Sequence, residues 1–118
     1  MYQSANVKFN PIINFNAASL TGSYVAFGSF TYPVRILDIV NDSDEDVFIS
    51  FDGGTTSHLY IKAGSFLLFD FGTNKGESAP ALELPPTGMM INGSAGTGAI
   101  YCMSAAAYTS YPNISRGA

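Results

Sequence analysis

The chain has no tryptophan, one cysteine, one histidine and only five basic residues among 118. Each scarcity removes a class of function. One thiol cannot close an internal disulfide, so no oxidising compartment is implied. One His and one Cys cannot fill a tetrahedral zinc site without two carboxylates beside them. Five Lys and Arg against nine Asp and Glu leave a net charge of -4. Nucleic acid is therefore not expected as a partner, because neutralising phosphates takes clustered cations. An anionic membrane surface is not expected for the same reason. No apolar run approaches the roughly 18 residues of a membrane helix. The longest, such as Phe66-Leu67-Leu68-Phe69, are strand-length. The stretch Met1 to Asn6 carries neither the basic nor the apolar region of a secretory leader, so none is expected. Charge of both signs is short, at 12% of residues, where soluble domains carry roughly a quarter. Gly, Ser, Thr and Asn take its place, because the apolar fraction of 47% is ordinary.

What remains reads as strands. Short runs rich in Val, Ile, Phe and Tyr alternate with turn residues along nearly the whole chain. Extended structure is expected over Val7–Phe15, Ser23–Phe30, Val34–Val40, Val47–Asp52, His58–Lys62, Phe66–Phe71, Pro80–Leu84, Met89–Asn92 and Ala99–Tyr108. Thr21-Gly22, Asn41-Asp42-Ser43-Asp44, Asp52-Gly53-Gly54, Ala63-Gly64 and Gly93-Ser94-Ala95-Gly96 supply the turn conformations between them. Helical spacing is weak and confined to Asn16–Leu20 and Ser104–Tyr108. The expected fold is all-β: an antiparallel β-sandwich, Greek-key or jelly-roll-like, of about eight strands.

One domain fills this length. Residues 1–20 are expected to form an N-terminal arm or edge strand, since Pro11 cannot donate to a central ladder. Residues 21–110 form the sandwich and 111–118 a C-terminal tail. Val34–Val40 with Val47–Asp52, and His58–Lys62 with Phe66–Phe71, are expected as two hairpins. Within Val47–Asp52, Val47, Ile49 and Phe51 share one face. Val34–Val40 and Phe66–Phe71 are apolar on both faces, and a sandwich has only one core. A second cover is needed, either a loop or the N-terminal arm or another chain, and the scarcity of surface charge favours another chain. Val7, Phe9, Ile12, Ile13 and Phe15 are the expected interface residues, on an arm laid across a neighbour.

Candidate chemistry is sparse. Asp42, Asp44 and Asp46 alternate as cation ligands do, but the sixth position is Val47 and the twelfth Gly53, so no EF-hand is present. They read as an acidic turn, with a cation site as the weaker alternative. His58 would need a nucleophile and an orienting acid, for which Ser57 and Asp52 or Asp70 are the candidates, yet no nucleophile elbow accompanies it. Asp38, Asp52, Asp70, Glu77 and Glu83 offer carboxylates without a spacing that selects a pair. Gly93 to Gly98 is glycine-rich, but a strand follows, not a helix, and no Lys-Ser or Lys-Thr closes it. Cys102, in Ile100-Tyr101-Cys102-Met103, reads as a buried small hydrophobe. No catalytic residue and no cofactor is expected. Tyr24, Phe27, Tyr32, Tyr60, Tyr101, Tyr108 and Tyr111 suit either a permanent interface or stacking on sugar rings.

Several short blocks, in order, resemble small virion proteins of tailed bacteriophages. They are Val34-Arg35-Ile36-Leu37-Asp38-Ile39-Val40-Asn41-Asp42-Ser43-Asp44-Glu45-Asp46-Val47-Phe48-Ile49-Ser50-Phe51-Asp52-Gly53-Gly54, then Ser57-His58-Leu59-Tyr60-Ile61-Lys62-Ala63-Gly64-Ser65, then Phe69-Asp70-Phe71-Gly72-Thr73-Asn74, and last Gly98-Ala99-Ile100-Tyr101-Cys102-Met103-Ser104. The resemblance spans roughly residues 30–108. It implies a β-sandwich that sits in the virion as a homo-oligomer against other virion proteins: a capsid decoration or cement, neck or tail component. It brings no catalytic residues. The alternative from the residues alone is a carbohydrate-binding module, or the receptor-binding tip of a phage fibre.

Overall fold

The computed structural model describes residues 4–31, 33–71 and 88–110. The expected strand Pro80–Leu84, the tail 111–118, Tyr32, Tyr111, Glu77 and Glu83 lie outside the described residues. Nine strands are described: β1 (Ser4–Phe9), β2 (Ile13–Asn16), β3 (Val25–Gly28), β4 (Ile36–Ser43), β5 (Val47–Ser50), β6 (Leu59–Ile61), β7 (Phe66–Asp70), β8 (Met89–Asn92) and β9 (Gly98–Ser110). They form two antiparallel sheets. The first has the order β1-β9-β4-β7, with β2 also on β9; the second has β3-β8-β5-β6. Because β1 and β2 follow one another along the same flank of β9, nine strands occupy eight positions. Apart from β5 to β6, each step from β2 to β9 changes sheet, which is the double Greek key of a jelly roll.

The core lies between the sheets. Alternation turns Leu37 and Ile39 of β4 and Ile100 and Cys102 of β9 inward from one side. Val47 and Ile49 of β5, Ile61 of β6, and Met89 and Ile91 of β8 meet them from the other, and all are buried. Ile13, Phe15, Leu67 and Phe69 close the flanks of this cluster. Asn16–Leu20 does wind, but only as one 3-10 turn, Ala17–Ser19, whose Ala18 amide donates to the Asn16 side chain at 2.9 Å. Ser104–Tyr108 is strand, the far part of β9.

The two expected hairpins do not form. β4 lies in the first sheet and β5 in the second, and likewise β7 in the first and β6 in the second. Each pair is an arch across the core. β4 also runs on through Asn41-Asp42-Ser43, which the composition marks as turn, by pairing those residues with Ile100, Ala99 and Gly98. Only residues 44–46 remain to cross to β5. Sheets pack about 10 Å apart, and three residues at about 3.3 Å each just span that. A tight hairpin would have needed positive φ in the turn, and Asp44-Glu45-Asp46 has no glycine. The Gly93–Gly98 loop is a third arch, β8 to β9. Gly98 sits at φ +100°, and a Cβ there would run into the Asp42 carbonyl.

Asn41 holds the arches together. It is fully buried. Its side-chain amide donates to the Glu45 carbonyl at 2.8 Å and to the Ile61 carbonyl at 3.0 Å. Its side-chain oxygen accepts from the Ser43 hydroxyl. Its own amide donates to Ser65 O at 2.8 Å, and its carbonyl accepts from Gly64 N at 2.9 Å. One residue thus satisfies both crossings. Asn41→Ala would take the side-chain donor from the buried Ile61 carbonyl and leave the Glu45 carbonyl with the Ser43 hydroxyl at 3.1 Å, and we expect it to cost about 1–3 kcal/mol in urea unfolding. Loss of under about 0.5 kcal/mol, the range of an ordinary surface substitution, would show the network to be dispensable.

Candidate functional site

The outer face of the first sheet carries four of the seven large exposed apolar side chains among the described residues, Phe9, Ile36, Phe66 and Leu68. Opposed residues of antiparallel strands share a face, so the register sets out its rows. Phe9, Ala105, Ile36 and Asp70 form one row across β1, β9, β4 and β7. Met103, Asp38 and Leu68 form the next. Asn14, Tyr101, Val40 and Phe66 form the third, starting from β2. Phe9 is 79% exposed, Ile36 40%, Phe66 62% and Leu68 60%. Leu37, Ile39, Leu67 and Phe69, the alternate positions of β4 and β7, serve the core. The two-sided apolar character of these strands is thus real, and their own chain covers one side.

The five expected interface residues separate. Phe9 and Ile12 are exposed, Ile12 at 64% in the break between β1 and β2. Ile13 and Phe15 instead pack on the chain's own core, Phe15 edge-on to Phe27 at 6.0 Å. Val7 pairs with Ala107 through β1. The segment is an edge of the first sheet, held along β9, because Asn14 and Asn16 alternate with Ile13 and Phe15 to give β2 one inward face.

The acidic turn does not gather its carboxylates. Asp44 accepts from the Thr97 amide and hydroxyl, both at 2.9 Å, and so ties the β4–β5 arch to the β8–β9 arch. Asp46 accepts from Ala63 N at 2.8 Å and the Tyr60 hydroxyl at 2.9 Å, tying it to the β6–β7 arch. Asp42 is exposed beside Ala99 on β4. No group of three or more potential metal ligands occurs among the described residues.

His58 is held structurally. Its Nδ1 accepts from the Phe51 amide at 3.0 Å, and its Nε2 lies 4.0 Å from Asp52. The Ser57 hydroxyl pairs with Tyr24, not with His58. Asp52 accepts from the Ser50 hydroxyl at 2.7 Å and the Thr56 amide at 2.9 Å. Asp38 and Asp70 stand on the opposite sheet. Burial, helped by the nearby negative charge of Asp38, pushes the Cys102 thiol up to about 12, so it stays protonated and inert. On the second sheet Phe48 and Tyr60 form an exposed ring pair 5.3 Å apart, next to Asn92 in the register.

Hydrogen bonds lower three carboxyl groups. The Thr97 amide and then its hydroxyl act on Asp44, and the Ala63 amide and then the Tyr60 hydroxyl on Asp46. Asp52 falls from 3.8 to about 2, through Ser50 and then Thr56. The folded chain binds these protons more weakly than the unfolded chain. Their stabilisation is therefore complete above the ordinary carboxyl value and is lost as pH falls through the folded ones. The urea midpoint should drop between about pH 4 and about pH 2, and Asp44→Asn with Asp46→Asn should flatten the slope. A midpoint flat across that window would contradict the clamps.

The sequence matches no protein-family model, and neither curated proteins nor solved structures yield a relative.

Proposed function

We propose that the chain is a non-catalytic structural protein that self-associates through the outer face of its first sheet. The exposed Phe9, Ile36, Phe66 and Leu68 carry this reading. Fully burying a large apolar side chain is worth about 1.5–3 kcal/mol, so an open face of this kind is a source of association energy. Low charge fits the same role, because copies packed closely repel one another little. The block resemblance of residues 30–108 narrows the setting to the virion of a tailed phage. There the chain would act as a capsid decoration or cement, neck or tail component, in contact with other virion proteins.

Mass measurement in solution tests the association. The wild-type chain should be a defined oligomer at micromolar concentration. Leu68→Glu and Phe66→Glu should each give a monomer whose urea midpoint matches that of the dilute, dissociated wild-type chain, since in the single chain both side chains are exposed. A wild-type monomer at high micromolar concentration would overturn the proposal.

The carbohydrate reading keeps one specific support, the Phe48–Tyr60 pair beside Asp46 and Asn92 on the other sheet. Exposed rings beside hydrogen-bonding groups are what a sugar face needs. Binding to a glycan array that Tyr60→Ala abolishes would support it, and an array without hits would remove it.

A further inference from the structure

We propose that Asp38 and Tyr101 set the register of the interface between two copies of this chain, each Asp38 carboxylate accepting a hydrogen bond from the other copy's Tyr101 hydroxyl. This rests on the self-association through the outer face of the first sheet.

Asp38 sits in the middle row of that face, with Leu68 on one side and Met103 on the other. Ile36 and Val40 lie two residues away along β4. Among the described residues its Oδ1 is sealed from water and has no hydrogen-bond partner, while the residue as a whole is half-buried. Whatever covers Phe66, Leu68 and Ile36 also takes the rest of this carboxylate out of water. An unpaired buried carboxylate costs more than the flanking hydrocarbon returns. The cover must therefore bring a donor to the Asp38 row.

The face carries such a donor itself. Tyr101 is on β9, next to β4, one row from Asp38 and diagonal to it across the Asp38–Met103 pair. Diagonal neighbours in a sheet lie about 7–8 Å apart. A phenol also stands further from the sheet than Val, Ile, Leu or Met. Asn14, another donor in the same row, belongs to β2, on the far side of β9 from β4. Acceptor and donor on one face make that face self-complementary. A two-fold axis lying in the interface between them brings each Asp38 onto the other copy's Tyr101, an isologous contact. A foreign partner would have to supply both halves anew, so a second copy is the occupant that fits.

The test is a double-mutant cycle on the dissociation constant, using the full chain by sedimentation. Tyr101→Phe and Asp38→Ala should each weaken association by about tenfold or more, as loss of a hydrogen bond to a charged group does. The double variant should be no weaker than either single one. The urea midpoint of the dilute monomer serves as the folding control and should not move for Tyr101→Phe. Additive losses, or a Tyr101→Phe chain that associates like wild type, would overturn the pairing. So would an Asp38→Ala chain that associates more tightly, which is what removing an unpaired buried carboxylate does. A wild-type monomer would instead sink the self-association reading. Association broken by Leu68→Glu but untouched by Asp38→Ala and Tyr101→Phe would sink the pairing alone.

Discussion

The fold depends on one buried amide. When consecutive strands change sheets, each crossing leaves carbonyl and amide groups at the rim of the core, where neither ladder can use them. Burying such groups unpaired is costly. Asn41 answers this by donating to Glu45 O in the first crossing and to Ile61 O at the start of the second, while its own backbone bonds Ser65 and Gly64. The arches then lie side by side, and Asp44 and Asp46 extend the ties to Thr97 and Ala63. The negative charges at this end are spent on geometry. They accept from amides and hydroxyls that face the rim, which is why they are acids at these positions and yet gather no cation site among the described residues.

That arrangement frees the strands to carry function elsewhere. With the corners fixed by hydrogen bonds, β4 and β7 need only one apolar face for the core. Their second apolar face is surplus to the fold of one chain. Phe66 and Leu68 alternate with Leu67 and Phe69, so changing the outer pair leaves the inner pair in place. The outer face and the core are therefore separable, and a substitution that alters assembly need not alter folding.

The strands are legible in the sequence because short runs rich in Val, Ile, Phe and Leu are separated by turn residues, and burial alternates with period two along β4, β7 and β8. The all-β class and the β-sandwich follow from it. The crossings were harder to read. Asn41-Asp42-Ser43 has the composition of a turn, yet it is strand, because β9 pairs with it and the buried side chain of Asn41 bonds inward. The missing glycine in Asp44-Glu45-Asp46 was the available sign against a hairpin. Ile13 and Phe15 read as part of an arm or edge because Pro11 interrupts the run Val7–Phe15. The asparagines at positions 14 and 16 mark instead a strand with one inward face. The clamps of Asp44 on Thr97, 53 residues away, have no local sign at all, since nothing in either segment names its partner.

In the proposed assembly Asp38 would serve both the separate and the associated chain. An open apolar sheet face risks indiscriminate pairing, and natural sheets limit this with charges placed among the apolar positions. A carboxylate between Leu68 and Met103 penalises every contact that cannot supply a donor there. Nonspecific apolar contacts fail that condition. A copy presenting a hydroxyl at the matching place meets it. The same group that makes random association costly thus makes one geometry preferable, and selectivity arises from the penalty as much as from the bond. This is a reason for a low-charge protein to keep an acid inside the apolar run Ile36–Val40 of β4.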